Sequence, residues 1–97
     1  MSTTDVPQTL DGALVLSVAP ARAGQVGFDY ETGAPVAVCY YAIAQYAGDE
    51  PRAYLLAVSA DHQVVGDSLW DSPEEAAQVA LNSGNVSSRF EPLAVSP

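Results

Sequence analysis

The stretch PVAVCYYAIAQYA, residues 35–47, decides the fold of this chain. Its apolar residues fit helical spacing, and Pro35 suits the first position of a helix. The same stretch is rich in valine, tyrosine and isoleucine, which favour strands. A short polar turn, residues 48–51, joins it to a second apolar run, as in a β-hairpin. We therefore predict a long central strand over residues 35–47, with a helix as the alternative.

As a strand, residues 35–47 would have two mostly apolar faces. Alternation groups Val36, Val38, Tyr40, Ala42, Ala44 and Tyr46 on one face and Ala37, Cys39, Tyr41, Ile43 and Gln45 on the other. A strand that is apolar on both faces belongs in the middle of a sheet covered on both sides. We expect this for residues 35–47, with a second subunit as one possible source of cover.

Other segments predict the remaining strands. Runs with strand character between turn residues cover 12–19, 25–30, 53–59 and 64–67. In the second of these runs Val26, Phe28 and Tyr30 share one face. Residues 85–95 predict a last edge strand that Pro92 interrupts. Residues 1–11 are polar and predict a flexible N-terminal tail, which leaves 12–97 as a single α+β domain.

One helix has a clear start signal. The motif SPEE at residues 72–75 is a capping box, in which the Ser72 hydroxyl accepts from backbone N–H groups and Glu75 reaches back to the Ser72 N–H. Its proline suits the first helical position. The helix should run to about Ser83, with Gly84 as the stop. The predicted fold is α+β, with a meander-like antiparallel sheet of about four to six strands packed on one C-terminal α-helix.

The charge balance is unusual. Twelve Asp and Glu residues face three arginines, no lysine is present, and the net charge is −9. Charged residues form 15% of the chain, against about 25% in typical proteins, so the chain is poor in cations rather than rich in acids. We expect it to repel nucleic acid and anionic membranes and to attract basic surfaces. Solubility alone is the alternative explanation of the charge.

The sequence also bears on the compartment. Cys39 is the single cysteine, so an intramolecular disulfide and a cysteine-based metal site are excluded, and a reducing interior is expected. Residues 1–10 lack the positive and apolar regions of a secretory signal. The longest apolar run, residues 34–47, is too short for a membrane span. These features predict a cytoplasmic protein, in a bacterial or phage-infected host cell.

Cys39 and His62 are the obvious candidates for catalysis. We interpret Cys39 as a small buried core residue and His62, beside Asp61, as a surface residue of a turn. The candidate metal ligands are four carboxylates near the helix start: Asp67, Asp71, Glu74 and Glu75. Their spacing lacks the pattern of a calcium-binding loop. We therefore predict no catalytic residue, no metal site and no cofactor.

The five tyrosines and Trp70 are compatible with two roles. Aromatic side chains flanked by acids are typical of a protein-binding patch. Alternatively, they are core residues whose polar atoms reach the rim. Tyr40 and Tyr41 point to opposite faces of the predicted strand, so we expect one or two tyrosines to face solvent. Trp70 could be a core anchor or an exposed binding residue.

These observations predict a non-enzymatic acidic binding or inhibitor module that docks on a basic protein, including a nucleic-acid-binding protein. In size and charge the chain resembles bacterial immunity and phage anti-defence proteins. The expected partner-binding residues are Asp49, Glu50, Asp67, Trp70, Asp71, Glu74 and Tyr46. One alternative is a structural or assembly homodimer that uses an apolar sheet face. The other is a small enzyme or small-molecule-binding domain.

Overall fold

The structure is a computed structural model that describes residues 6–93. Its elements in chain order are β1 (Thr9–Leu10), β2 (Ala13–Pro20), β3 (Val26–Phe28), β4 (Pro35–Ala37), β5 (Tyr40–Gln45), β6 (Ala53–Val58), β7 (Val64–Trp70), α1 (Pro73–Asn82) and β8 (Glu91–Pro92). A curled antiparallel sheet packs on one C-terminal helix, so the predicted α+β fold is confirmed.

The main sheet has the strand order β1-β2-β5-β6-β7, and every pairing is antiparallel. Strand β8 also pairs with β2. Strands β3 and β4 form a separate two-stranded hairpin between β2 and β5 in the chain. Strands β5, β6 and β7 form a meander. Strand β2 also pairs with β5, but the β3–β4 hairpin lies between them in the chain.

Most of residues 35–47 is extended, as predicted, although β5 ends at Gln45 and Ala47 lies in the turn; the helical alternative is wrong. The stretch is nevertheless two strands, since β4 pairs with β3 and β5 lies between β2 and β6. The break falls at Val38 and Cys39. Their N–H groups donate to the carbonyl oxygens of Gln25 and Val58, over 3.0 and 2.8 Å. The backbone therefore leaves the hairpin and enters the main sheet at these two residues.

The break changes which side chains share a face. Tyr40, Ala42 and Ala44 pack in one core, as predicted. Val36 and Val38 instead join the opposite core, with Tyr41 and Ile43, so their predicted face was wrong. Strict alternation fails here because residues 35–47 do not form one continuous strand.

Two apolar cores lie on the two sides of the main sheet. On one side, Val6, Leu10 and Leu93 pack against the sheet residues. On the other side, Ala76 and Ala80 of α1 are fully buried. The central position predicted for the strand holds for β5. Elements of the same chain contribute to the cover of both its faces.

Part of the predicted tail belongs to the fold. Leu10 lies opposite Ala13 in the β1–β2 pair, and Val6 and Leu10 are buried. These two apolar side chains pack in the core. The mostly polar sequence of residues 1–11 gave no sign of this burial. Residues 1–5 lie outside the described part of the chain.

The predicted strand over residues 85–95 is much shorter in the structure. The observed strand in this range is β8. Val86 separately forms an isolated antiparallel β-bridge with Ala21. Ala94 and Val95 lie outside the described residues.

Helix α1 begins where the capping box predicts. The Glu75 N–H donates to the Ser72 hydroxyl oxygen over 3.1 Å. Glu75 Oε1 accepts from the Asp71 N–H at 3.0 Å, one residue before the expected donor. Gly84, with φ of +75°, ends the helical conformation as predicted. Small alanines on the buried side let the helix lie close to the sheet.

The β3–β4 hairpin packs on the same core as the helix. Gly27 faces Val65 in β7, and a Cβ atom at Gly27 would overlap the Val65 carbonyl oxygen and side chain. Val36, opposite Gly27, is half-buried against this core. Glycine at residue 27 therefore permits the close approach of hairpin and sheet.

Candidate functional site

Most of the predicted partner-binding residues meet at one end of the main sheet. Ala53 lies opposite Trp70 across β6 and β7. The β5–β6 turn and the start of α1 therefore emerge at the same end. We call this end of the sheet the acidic end, and its residues are Tyr46, Asp49, Glu50, Trp70, Asp71 and Glu74.

The carboxylates of the acidic end differ in their contacts. Asp49 Oδ1 lies 3.3 Å from Arg52 Nη2, an exposed ion pair that contributes little stability. Glu50 Oε1 accepts from the Gly48 N–H at 3.1 Å. The exposed carboxylates of Asp71 and Glu74 make no hydrogen bond or ion pair to another residue between 6 and 93. These two are the most available for a partner.

Asp67 lies away from the acidic end, within β7. Its Oδ2 accepts from the Tyr30 hydroxyl at 2.7 Å. Partial desolvation of the hydroxyl, and then the hydrogen bond and negative charge of Asp67, raise the pKa of Tyr30 to about 12. The tyrosine therefore stays protonated at neutral pH and keeps donating to the carboxylate.

The aromatic residues of the acidic end are half-buried. The Trp70 side chain packs against the helix-side core, and its Nε1–H donates to the Ser68 hydroxyl oxygen over 2.7 Å. Tyr46 meets Tyr54 edge to face, with ring centroids 5.5 Å apart. Its hydroxyl donates to the Asp11 carbonyl oxygen over 2.8 Å. Both side chains are therefore partly occupied by contacts within the chain and only partly available to a partner.

Cys39 is exposed, which corrects the expectation of a buried core residue. It lies in the break between β4 and β5, where strand alternation no longer applies. His62 lies in the β6–β7 turn with φ of 64°, and its Nδ1 is 2.9 Å from the hydroxyl oxygen of Tyr40. His62 is half-buried rather than fully exposed.

A polar network joins the hairpin, the sheet and the segment after α1. The Tyr41 hydroxyl donates to Gln25 Oε1 over 3.0 Å. Asn85 Nδ2 lies 3.1 Å from that same oxygen and 3.2 Å from the Tyr41 hydroxyl oxygen. Burial raises the pKa of Tyr41, so it remains a donor at neutral pH. The network fixes Gln25 at the start of the hairpin.

The pockets on the described surface include the following two. One, of about 390 Å³, lies between β2 and β8 and is lined in part by Val18, Arg89 and Phe90. The other, of about 320 Å³, lies between β3 and the main sheet. We call it the hairpin groove; its lining includes Val26, Phe28, Tyr41, Leu55, Ala57 and Val65. Neither pocket is lined by Cys39 or His62.

The described residues give no direct sign of a metal ion or a membrane span. Between residues 6 and 93, no three His, Cys, Asp or Glu side chains are grouped so as to hold a metal. Over the same part of the chain, no helix has the length and apolar character needed to cross a bilayer. Comparison with protein-family models, characterised proteins and solved structures gives no match to this chain.

A second group of exposed side chains lies on the hairpin, and the sequence did not reveal that these side chains are exposed. Val26, Phe28 and Tyr30 are 56%, 57% and 58% exposed. Their alternation predicted a common face but not which face meets solvent. Gly27 was the available signal, because a glycine inside a strand often marks a close backbone approach. The side of the strand carrying Gly27 faces the sheet.

Proposed function

We propose that this chain is a non-enzymatic binding module that docks on a basic protein surface and acts as an inhibitor in the cytoplasm of a bacterial or phage-infected cell. The net charge of −9 without a single lysine carries the proposal. One of the three arginines, Arg52, lies against Asp49. A basic partner would therefore meet few repelling charges.

The acidic end supports the electrostatic part of this proposal. Asp71 and Glu74 are exposed at the start of α1, and their carboxylates make no hydrogen bond or ion pair to another residue among 6–93. Charge of one sign over a surface steers an oppositely charged protein and raises its association rate. We expect a partner whose binding slows steeply as salt is added, and we expect nucleic acid to be repelled.

The two alternatives have less support. A homodimer formed through an apolar face of the main sheet would need that face to be uncovered, and elements of the chain pack against both sides of the main sheet. Two copies with a charge of −9 would also repel each other. A small enzyme would use a pocket near Cys39 or His62, and neither residue lines either pocket described above.

The test uses two variants with equal changes of charge. The first, Asp71→Lys with Glu74→Lys, alters the acidic end. The control, Asp61→Lys with Glu91→Lys, places the same charges in the β6–β7 turn and in β8. The immobilised chain captures proteins from its native host at low salt, and each captured protein is identified and purified. Association rates are then measured for wild type and both variants over a range of salt concentrations.

The proposal expects a basic partner whose association rate falls with salt, by about tenfold or more across the series. The acidic-end variant should associate much more slowly than the control variant. Binding that is insensitive to salt, or equal loss in the two variants, would contradict docking through the acidic end. Thermal melts of both variants check that the fold persists.

A further inference from the structure

The outer face of the β3–β4 hairpin is apolar and uncovered. Val26 lies opposite Ala37, and Phe28 lies opposite Pro35, so the four side chains share one face. All four are exposed. Tyr30, two residues beyond Phe28, is also exposed. We call these five residues the hairpin surface.

This composition is unusual for the open side of a hairpin. When one face of an antiparallel pair packs on a core, its other face is normally polar. Here the inward positions are Gly27 and Val36, and the outward positions are apolar as well. Exposed apolar groups gathered in one place mark surfaces that contact another molecule.

Three contacts join the hairpin to the main sheet. Gln63 Nε2 donates to Asp29 Oδ2 over 2.9 Å, which ties the hairpin to the β6–β7 turn. The Tyr30 hydroxyl donates to Asp67 in β7. Gly27 fits closely against Val65. A surface fixed in advance loses less conformational freedom on binding, and this favours affinity.

The charged residues of the hairpin itself are negative. Residues 25–38 contain Asp29 and Glu31 and no cation, and Asp67 is joined to Tyr30. The hydrogen bond from Gln63, then the backbone N–H groups of Thr32 and Glu31, lower the pKa of Asp29. Its carboxylate is therefore ionised at neutral pH. A second copy of the chain would bring matching negative charges, whereas a basic segment would neutralise them.

The hairpin groove adjoins the same side chains. Val26 and Phe28 border it, and Leu55, Ala57 and Val65 are part of its apolar lining. Its volume of about 320 Å³ leaves room for an apolar side chain of a partner. Asp67, Ser68 and Asn85 also line this open groove. Apolar side chains of a partner that insert into such grooves supply much of the energy in protein interfaces.

We propose that the hairpin surface binds an amphipathic basic segment of another protein. The segment's apolar side chains cover Val26 and Phe28 and enter the hairpin groove. Its Lys or Arg side chains face Asp29, Glu31 and Asp67. This inference rests on the proposed function, and it adds an apolar contact that charge attraction alone would not require.

The test compares two fluorescent peptides of about twelve residues, long enough to cross the hairpin. One alternates leucine with arginine, and the other alternates serine with arginine, so both carry equal charge. Wild type is compared with Val26→Ser plus Phe28→Ser, and with the matched control Leu14→Ser plus Leu69→Ser. The control residues are 54% and 44% exposed and lie on β2 and β7, away from the outer face of the hairpin. Binding is measured by fluorescence anisotropy, and folding by thermal melts.

Wild type and the control variant should bind the leucine peptide at least about tenfold more tightly than the serine peptide. The Val26→Ser plus Phe28→Ser variant should lose this preference while keeping its fold. Retained preference in that folded variant would overturn the hairpin assignment.

Equal, salt-dependent binding of both peptides by wild type would also overturn the hairpin assignment, yet it would leave charge-driven docking standing. Absence of salt-dependent binding to either peptide would count against both proposals. A wild-type dimer in sedimentation velocity that the hairpin variant cannot form would overturn the basic partner and favour a second copy.

Discussion

At the residue scale, Tyr40 shows how burial sets the chemistry of a side chain. Its ring is fully buried in the sheet, and its hydroxyl contacts His62 in the β6–β7 turn. Burial, with a smaller contribution from the neighbouring Cys39, raises the pKa of Tyr40 to about 12. At neutral pH the hydroxyl is protonated and acts as a structural hydrogen-bonding group.

The raised pKa predicts a loss of stability in alkali. In the unfolded chain a tyrosine ionises near its ordinary pKa of about 10, whereas folded Tyr40 resists ionisation until about 12. Its contribution is therefore complete below about pH 10 and is lost as pH rises through 12. At pH 11, between these two values, we expect wild type to lose about 1 kcal/mol through Tyr40, relative to pH 8.

Urea unfolding of wild type and Tyr40→Phe at pH 8 and pH 11 measures this contribution. The variant should be less stable at pH 8, by about 1 kcal/mol for the lost hydrogen bond, and the gap should close or reverse at pH 11. Tyr30 and Tyr41, whose pKa values are also raised, are present in both proteins and cancel in the difference. A gap of the same size at both pH values would contradict the assignment to Tyr40.

At the element scale, one of the contacts between the hairpin and the main sheet leaves no room for a Cβ atom at residue 27. Gly27→Ala would place a Cβ atom into the carbonyl oxygen and side chain of Val65. Gly66→Ala, in β7, would meet the Ala57 Cβ at 3.3 Å, a contact that a small shift relieves. Neither glycine has a positive φ, so the two substitutions differ mainly in steric overlap.

We expect Gly27→Ala to lower the free energy of unfolding by about 1–3 kcal/mol, as overpacked sites do. Gly66→Ala should cost less than about 1 kcal/mol. Chemical denaturation gives both values, and amide hydrogen exchange in β3 and β4 reports whether the hairpin separates from the sheet. Equal costs for the two variants would show that the approach of Gly27 to Val65 does not constrain the hairpin.

The elements also show which parts of the fold the sequence could predict. Helix α1 was predicted closely because its start depends on local signals, namely Ser72 and the residues that follow it. The break at Val38 and Cys39 was missed because it depends on pairing with β3 and β6, which residues 35–47 do not encode by themselves. Val6 and Leu10 were missed for a similar reason, since their burial comes from distant strands.

At the scale of the whole molecule, the composition gives the net charge but not the position of the acidic end on the surface. The sequence predicts a turn at Asp49 and Glu50, and this turn does lie beside the start of α1. This placement depends on the register of β6 and β7, in which Ala53 lies opposite Trp70. That register is a long-range property of the sheet. The exposure of Phe28 was equally hidden, because alternation defines two faces without saying which one the rest of the chain covers.

The surplus of negative charge predicts that salt stabilises the isolated protein. Among residues 6–93 there is one ion pair, Arg52 with Asp49, so repulsion between like charges should exceed attraction. Raising NaCl from about 0.02 to 0.2 M shortens the screening length to below about 10 Å and weakens that repulsion. We expect the melting temperature to rise by about 2–4 °C. The control, Asp61→Lys with Glu91→Lys, changes the net charge from −9 to −5 and should show a smaller rise. A melting temperature that falls with NaCl would mean that attractive contacts dominate the charge balance and that the acidic surface is not self-repelling.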